Sequence, residues 1–208
     1  MSSIKSTITL IVPISIWLAA TGSGFFLLQA EHARPGRPGT PPVVWPEDSP
    51  IRPDPVKPTL LVFLHPRCPC SRASVTELAS VLAALGDRFV AYAILYRPEN
   101  PSEDWDRAGS AGVVDESVSG LRRWIDPRGK VGRRFGVETS GHVLLFNPAG
   151  QLLFSGGITP SRGHRGENPG LDALIAPIEG QGNGSERSPI FGCPTIDPDS
   201  TSRTEEIR

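Results

Sequence analysis

The chain has 208 residues, enough for one compact domain with extensions but not for two full domains. Its formal net charge of -1 gives no overall basic field that would attract nucleic acid. One basic cluster lies within residues 122–134, and without a series of interleaved aromatic residues it predicts a solvated face rather than a nucleic-acid site. Three cysteines are too few for a disulfide-rich scaffold, and the odd number leaves one thiol for exchange, metal binding or an intermolecular bridge.

The first predicted element is an N-terminal apolar helix. Residues 8–28 carry no charged side chain and match the ~20 residues that a helix needs to span a bilayer. A cleaved signal peptide is the alternative, but its apolar region is typically only ~7–15 residues long and ends in a small-x-small site, for which Leu28-Gln29-Ala30 is a poor match. We therefore predict an uncleaved anchor at residues 1–32. The large trailing part of the chain suggests a single-pass inner-membrane protein with its soluble domain on the periplasmic, extracytoplasmic side.

Three further regions follow the anchor. Residues 33–58 are dense in proline, which blocks helix and sheet, so they predict a semi-rigid spacer. Residues 59–180 carry regular hydrophobic patterns and predict the folded domain. The tail, residues 181–208, is rich in Gly, Ser and Pro, and predicts little regular structure apart from partial docking around residues 189–194.

The predicted domain has the order β-α-β, insert, short helix, β-hairpin and helix. The predicted strands lie at 59–65, 88–96, 121–126 and within a hairpin at 142–158. The predicted helices lie at 71–85, 127–135 and 171–178, with one further helical turn at 104–108 in the insert. A β-α-β unit implies parallel strands and a hairpin implies antiparallel ones, so the expected fold class is α/β, a mixed sheet with helices on both faces.

Cys68 and Cys70 flank a proline at the junction of a buried strand and a helix. A thiolate at this junction faces the unpaired N–H groups and the positive end of the helix dipole, which lower its pKa. Cys68 is therefore the predicted nucleophile, and Cys70 is close enough to attack a mixed disulfide formed at Cys68. The one-residue spacing closes a smaller ring than Cys-x-x-Cys, and its strain predicts a more oxidising disulfide.

The segment PTLLVFLHPRCPCSRASVTELASVL resembles the active-site region of thioredoxin-like proteins. Residues 124–158 resemble the second half of the membrane-tethered and peroxiredoxin-related branches. The combination of HPRCPCSRAS, TSGHVLLFN and GGITPSRGHRGEN resembles the RedB-type proteins most closely. The resemblance covers residues 59–178 and implies a thioredoxin-like fold with thiol–disulfide oxidoreductase or peroxide-type reductase activity.

One departure from the resemblance concerns the loop before the hairpin. Gly141 occupies the place where thioredoxins carry a cis-proline facing the cysteines, and this change opens the loop to a metal. The same alignment places His142 near Cys68, where it would poise the thiolate or complete a metal site. A hydrogen-bonded histidine at the start of a strand is the equal alternative.

The remaining candidates are another cysteine and three histidines. Cys193 follows the hydrophobic pair Ile190 and Phe191, and it is expected to be a resolving thiol for Cys68, a third metal ligand or a free tail cysteine. We assign His65 a structural role and treat His32 as incidental. His164, with Arg162 and Arg165, either lines the rim of the cysteine site or lies in a surface loop.

Two functions follow from these candidates, and a third is disfavoured. In the first, Cys68 attacks a disulfide and Cys70 or Cys193 resolves the product, with no cofactor and with protein thiols, protein disulfides or a small thiol donor as partners. The alternative is a copper chaperone in which Cys68, Cys70 and His142 bind Cu(I), because soft thiolates suit that ion. A binding domain that has lost its activity is the third, and the intact cysteine pair argues against it.

Overall fold

The computed structural model describes residues 2–102, 105, 114, 118–181 and 185–196, without the side chains of residues 2–10. The chain divides into two compact units, Met1–Arg34 and Pro35–Arg208. Of the helical turn predicted at 104–108, all residues except Trp105 lie outside the described residues.

The first unit is a single helix, α1, Ser2–His32. Its segment Ile11–His32 has a mean hydropathy of 1.8, and it is long and apolar enough to cross a membrane. None of that segment is buried within the structure, so its apolar side chains lack the cover that a core helix has. The apolar helix expected from the sequence is therefore present as a candidate membrane span or signal sequence.

The second unit is built on one mixed sheet. Its strands are β1 Thr59–Leu64, β2 Val90–Arg97, β3 Leu121–Pro127, β4 His142–Phe146, β5 Leu152–Gly156 and β6 Glu186–Arg187. Its helices are α2 Pro69–Leu85, α3 Lys130–Arg134 and α4 Pro169–Ile178, with a short 3-10 helix at Gly86–Arg88.

The six described strands have the spatial order β3-β2-β1-β4-β5-β6. The pairs β1–β2, β2–β3 and β5–β6 are parallel, whereas β1–β4 and β4–β5 are antiparallel. This arrangement confirms the predicted fold class, a thioredoxin-like mixed sheet with flanking helices. It places β1 in the interior of the sheet, so the loop after β1 starts from a strand that is paired on both edges.

Each face of the sheet has its own hydrophobic core, because alternate residues of a strand point to opposite faces. On one face Leu60, Val62 and Leu64 pack with residues of α2 and α4. On the other face Leu61 and Phe63 pack with the α3 region and with residues upstream of β1. β1 is buried throughout, as its continuous apolar run predicts.

Helix α3 begins later than the sequence predicts, at Lys130 rather than at residue 127. Pro127 pairs with Arg97 as the last residue of β3, and Gly129 then takes a left-handed conformation with φ 67°. The Asp126 carboxylate accepts hydrogen bonds from the backbone N–H groups of Val131 and Gly132, both at 2.9 Å. These bonds satisfy the first free donors of the helix and fix where it starts.

The sequence predicts a separate spacer at residues 33–58. In the structure, this segment belongs to the compact second unit from Pro35 onward. Trp45 and Ile51 are buried in the second core, at 6% and 3% exposure. Trp45 packs edge-on against Phe146 and donates its Nε1–H to the Ile51 carbonyl oxygen at 3.1 Å. Proline prevents regular structure here, but it does not prevent an extended segment from burying its aromatic and aliphatic side chains.

We expect Trp45→Ala to lower the free energy of unfolding by about 3–5 kcal/mol, because it removes a buried aromatic side chain from a packed core. Urea unfolding of residues 35–208 measures the change. Val43→Ala is the matched control, since the Val43 side chain is 68% exposed and surface substitutions cost at most about 0.5 kcal/mol. Equal stability of the two variants would show that the upstream segment is not part of the fold.

Candidate active site

Cys68 lies at the N-cap of α2, directly after the loop that leaves β1. Its backbone is extended, with φ -81° and ψ 117°, and Pro69 takes the first helical position, where its fixed φ suits a helix and its missing N–H costs nothing. The Cys68 N–H donates to the His65 carbonyl oxygen at 3.0 Å, which closes a tight turn after the strand. The local sequence therefore directs the Cys68 side chain to the beginning of a 17-residue helix.

A buried network of two serines holds this turn. Ser71 Oγ donates to the His65 carbonyl oxygen at 3.0 Å and lies 2.9 Å from Ser140 Oγ. Ser140 Oγ in turn accepts from the His65 N–H at 2.8 Å. The network joins the cysteine loop to the loop before β4 across the end of the sheet. Neither serine could be identified from the sequence, because two serines far apart in the chain form no pattern that indicates a buried hydrogen bond between them.

The C-terminal tail docks beside the same loop and brings Cys193 to the site. The Ser140 N–H donates to the Cys193 carbonyl oxygen at 2.8 Å, and the Thr195 N–H donates to the Glu138 carbonyl oxygen at 2.8 Å. Between them Thr139 and Pro194 form an antiparallel bridge. Upstream in the tail, Ile190 is only 2% exposed. Backbone pairing and burial of one aliphatic side chain therefore fix the tail on both sides of the cysteine.

The three cysteines form one cluster. The Sγ atoms of Cys68, Cys70 and Cys193 all lie within 4.8 Å of one another. All three are free thiols in the structure. Cys68 and Cys70 are 2% and 8% exposed, whereas Cys193 is half-buried. Cys193 is therefore the most exposed of the three.

The surroundings of Cys68 stabilise its thiolate. Burial raises the pKa of the Cys68 thiol. Hydrogen bonds from the thiol and backbone N–H of Cys193 lower that pKa, as do the backbone N–H groups of Cys70 and Ser71. The hydrogen bonds outweigh burial, so the pKa of Cys68 lies below its ordinary value. Helix N–H donors and a neighbouring thiol therefore favour the thiolate at the position predicted for the nucleophile.

The other two thiols stay protonated. Burial raises the pKa of Cys70, and the adjacent Cys68 thiolate raises it further by repulsion and by accepting its hydrogen bond. Burial and the same neighbour raise the pKa of Cys193 to about 12. The charge of Arg162 opposes both shifts, and the backbone N–H of Gly163 also lowers the pKa of Cys70. The loop after β5 therefore contributes positive potential to the cluster, with Arg162 at its rim.

The described residues do not bring His142 into the cysteine cluster. His142 is fully buried in β4, and its Nε2 lies 2.9 Å from Ser155 Oγ on the neighbouring strand. Its Nδ1 has no hydrogen-bond partner among the described residues. Burial lowers the pKa of His142 to about 4, so the ring is neutral at neutral pH. The geometry matches the hydrogen-bonded strand histidine that the sequence left as an alternative.

Gly141 is held in a conformation that proline cannot adopt. Its φ is 89°, whereas proline is fixed near ~-65°. A Cβ at this position would lie 2.9 Å from Ser74 Oγ and 3.8 Å from the carbonyl oxygen of Phe191 in the tail. The absence of a side chain at Gly141 therefore leaves room for Ser74 of helix α2, whereas the distance to the tail is an ordinary contact.

The remaining histidines lie in different settings. His65 is buried between aromatic rings, stacked on Tyr96 at 5.3 Å and edge-on to Trp105 at 5.6 Å. Its Nδ1 accepts from the Arg67 N–H at 3.2 Å, so it supports the turn that precedes Cys68. His164 is exposed, with its Nδ1 2.8 Å from the Arg162 carbonyl oxygen. His32 is exposed at the end of α1.

Comparison with known proteins gives similarities of fold. Neither the protein-family models nor the curated proteins give a match to this sequence. An uncharacterised conserved protein from Geobacillus kaustophilus is 16% identical with a TM-score of 0.53, over 80% of this chain and 94% of its own. A hypothetical protein from Sinorhizobium meliloti 1021 is 18% identical with a TM-score of 0.53, over 78% and 93%.

A third solved structure overlaps less. It is the pneumococcal exposed lipoprotein thioredoxin Etrx1 from Streptococcus pneumoniae strain TIGR4, 21% identical with a TM-score of 0.44, over 60% of this chain and 84% of its own. At these levels of identity the structural similarity concerns the fold.

We expect the thiolate of Cys68 to form at a lower pH than an ordinary thiol, because helix N–H groups and the Cys193 thiol donate hydrogen bonds to it. Cys193→Ala removes the thiol donor and should raise the pKa of Cys68, whereas Cys193→Ser keeps an O–H donor and should raise it less. Thiolate ultraviolet absorbance, followed against pH in Cys70→Ser backgrounds, measures the midpoint. An Ala variant that titrates at the wild-type midpoint would contradict this role of the tail.

His142 makes the folded state less stable in acid. The pKa of His142 is about 4 when folded and about 6.5 when unfolded, so between these values the unfolded state binds the extra proton. The free energy of unfolding should therefore fall as the pH drops from about 6.5 to about 4. His142→Gln retains a partner for Ser155 without titrating, and should lose part of this slope in urea unfolding. Identical slopes would mean that other groups account for the acid sensitivity.

Proposed function

We propose that this protein is a thiol–disulfide redox protein in which Cys68 is the nucleophile. The observation that carries the proposal is a helix N-cap thiol whose pKa lies below its ordinary value, with two protonated thiols beside it. A thiolate is the reactive form in disulfide exchange, and a second thiol within reach releases the product. The cluster provides both without a cofactor.

The chemistry proceeds in two exchanges. The Cys68 thiolate attacks one sulfur of a substrate disulfide, forms a mixed disulfide and expels the other substrate sulfur as a thiolate. Cys70 or Cys193 then loses its proton to solvent and attacks the Cys68 sulfur, which releases the second substrate thiolate. The substrate is reduced by two electrons and the protein gains one disulfide. A protein dithiol or two molecules of a small thiol then reduce the protein disulfide by the same kind of exchange, and are themselves oxidised to a disulfide.

Cys70 and Cys193 differ in how they reach the Cys68 sulfur. Cys70 is fixed by the first turn of α2, two residues from Cys68, where a disulfide closes a small and strained ring. Cys193 approaches from the tail, which backbone hydrogen bonds anchor to Glu138 and Ser140. A bridge to Cys193 would close a long loop between distant parts of the chain and avoid the constraint of the helix. Both thiols are therefore candidates for resolution, and their variants distinguish them.

The N-terminal helix α1 suggests where in the cell the redox domain works. An uncleaved α1 would tether the redox domain to the inner membrane, with the cysteines on the periplasmic, extracytoplasmic side, where disulfides persist. The RedB-type resemblance belongs to the same proposal and rests on HPRCPCSRAS, TSGHVLLFN and GGITPSRGHRGEN. Partners of this kind of site are protein thiols, protein disulfides or a small thiol, rather than nucleic acid.

We expect Cys68→Ser to abolish reduction of a model disulfide, because the variant lacks the thiolate that attacks. Cys70→Ser should accumulate a mixed disulfide at Cys68 if Cys70 resolves it, and Cys193→Ser should do so if the tail resolves it. Non-reducing gel electrophoresis and mass spectrometry after exposure to a disulfide-bonded peptide measure the trapped species. Trapping that persists in Cys68→Ser as strongly as in Cys70→Ser would overturn the assignment of the nucleophile.

A further inference from the structure

We propose that Cys68, Cys70 and Cys193 form a binding site for one Cu(I) ion, with their three sulfurs as the ligands. The three Sγ atoms already lie within 4.8 Å of one another. Three sulfurs bound to one metal at ~2.3 Å in a plane lie ~4 Å apart, so each pair needs to close by less than about 1 Å. Of the two candidates for the third ligand that the sequence offered, His142 and Cys193, the cluster contains Cys193.

The third sulfur is positioned by bonds that do not involve a metal. The Cys193 carbonyl oxygen accepts from Ser140, and two residues later Thr195 donates to Glu138, both at 2.8 Å. Gly192 passes so close to the Ser140 carbonyl that a Cβ at this position would collide with its oxygen. The backbone of the tail therefore presents Cys193 to the other two cysteines before an ion arrives, which reduces the ordering that binding requires.

The composition of the cluster favours Cu(I) over Zn(II). Among the described residues, no histidine, aspartate or glutamate joins the three cysteines, whereas Zn(II) in structural sites takes four protein ligands. Thiolates suit both ions, so the number of ligands decides: three sulfurs complete a trigonal Cu(I) site but leave Zn(II) one ligand short.

Cu(I) binding requires all three cysteines in the reduced form, and it replaces protons on their sulfurs by the metal ion. Each cysteine binds as a thiolate, and every sulfur that carries a proton releases it to solvent as it binds the ion. Copper stays in the monovalent state, and no electrons are transferred. The N–H groups at the start of α2 and the nearby Arg162 offset part of the negative charge of the three sulfurs. Any disulfide within the cluster removes ligands, so copper binding and disulfide exchange exclude each other on the same chain.

The test uses the reduced full chain in detergent micelles without oxygen, with Cu(I) supplied as the complex of a coloured Cu(I) chelator. The chain should remove one Cu(I) per molecule, and X-ray absorption should show three sulfur neighbours and no nitrogen. Cys193→Ser should weaken binding by at least about 100-fold, because it removes a ligand. Gly192→Ala keeps all three thiols but displaces the tail, and should weaken binding on the order of 10–100-fold, the range expected when groups that orient ligands are lost.

Two controls separate ligand loss from general damage. Gly86→Ala is the matched glycine substitution, because a Cβ there meets no atom within 4 Å, and it should bind Cu(I) like the wild type. His142→Gln should also retain wild-type affinity. Circular dichroism and unfolding midpoints establish that Cys193→Ser and Gly192→Ala are folded under the assay conditions.

Three results would overturn the proposal. These are wild-type affinity in Cys193→Ser, a nitrogen neighbour that disappears in His142→Gln, and displacement of the bound Cu(I) by equimolar Zn(II). Disulfide exchange is assayed separately on copper-free protein. A chain that exchanges disulfides but fails to bind Cu(I) would therefore contradict this inference and leave the proposed redox function standing.

Discussion

The start of helix α2 at the end of the central strand is the constraint on which the site depends. β1 is buried on both faces and paired on both edges, so the loop after it has a fixed origin. Pro69 begins the helix immediately after Cys68, which leaves the Cys68 sulfur facing unpaired backbone donors. Because strand and helix are each held by the core, the thiol cannot move away from the donors that stabilise its charge.

The second constraint is the docked tail, which changes a two-cysteine motif into a three-cysteine cluster. The tail pairs with the loop before β4 at such close range that a Cβ at Gly192 would collide with the Ser140 carbonyl oxygen. The same loop contributes Ser140, whose hydroxyl reaches back to His65 at the start of the cysteine turn. The tail, the loop before β4 and the cysteine turn are therefore held by a continuous set of hydrogen bonds. Both the redox proposal and the metal proposal need the Cys193 sulfur beside the other two cysteines, and these hydrogen bonds hold it there.

Regular elements of the domain could be predicted from local pattern. The apolar run of β1, the helical spacing of α2 and the turn residues between β4 and β5 each identify an element and its approximate limits. Errors arise where a contact distant in sequence decides the outcome. Proline in residues 33–58 correctly predicts the lack of a helix there, but the burial of Trp45 depends on Phe135 and Phe146, which lie about a hundred residues away.

The sequence alone indicates that Cys68 lies at the start of a helix, since a cysteine between a buried strand and a proline that begins a helix occupies that place however the helix packs. It also determined the mixed α/β fold, because hydrophobic periodicity is a local property of the chain. Only the tertiary structure decided between His142 and Cys193 as the neighbour of the motif. Strand β4 buries His142 against Ser155, whereas the tail carries Cys193 to the cysteines. That choice depends on the direction of side chains in paired strands and on hydrogen bonds across more than fifty residues, neither of which is encoded in spacing along the chain.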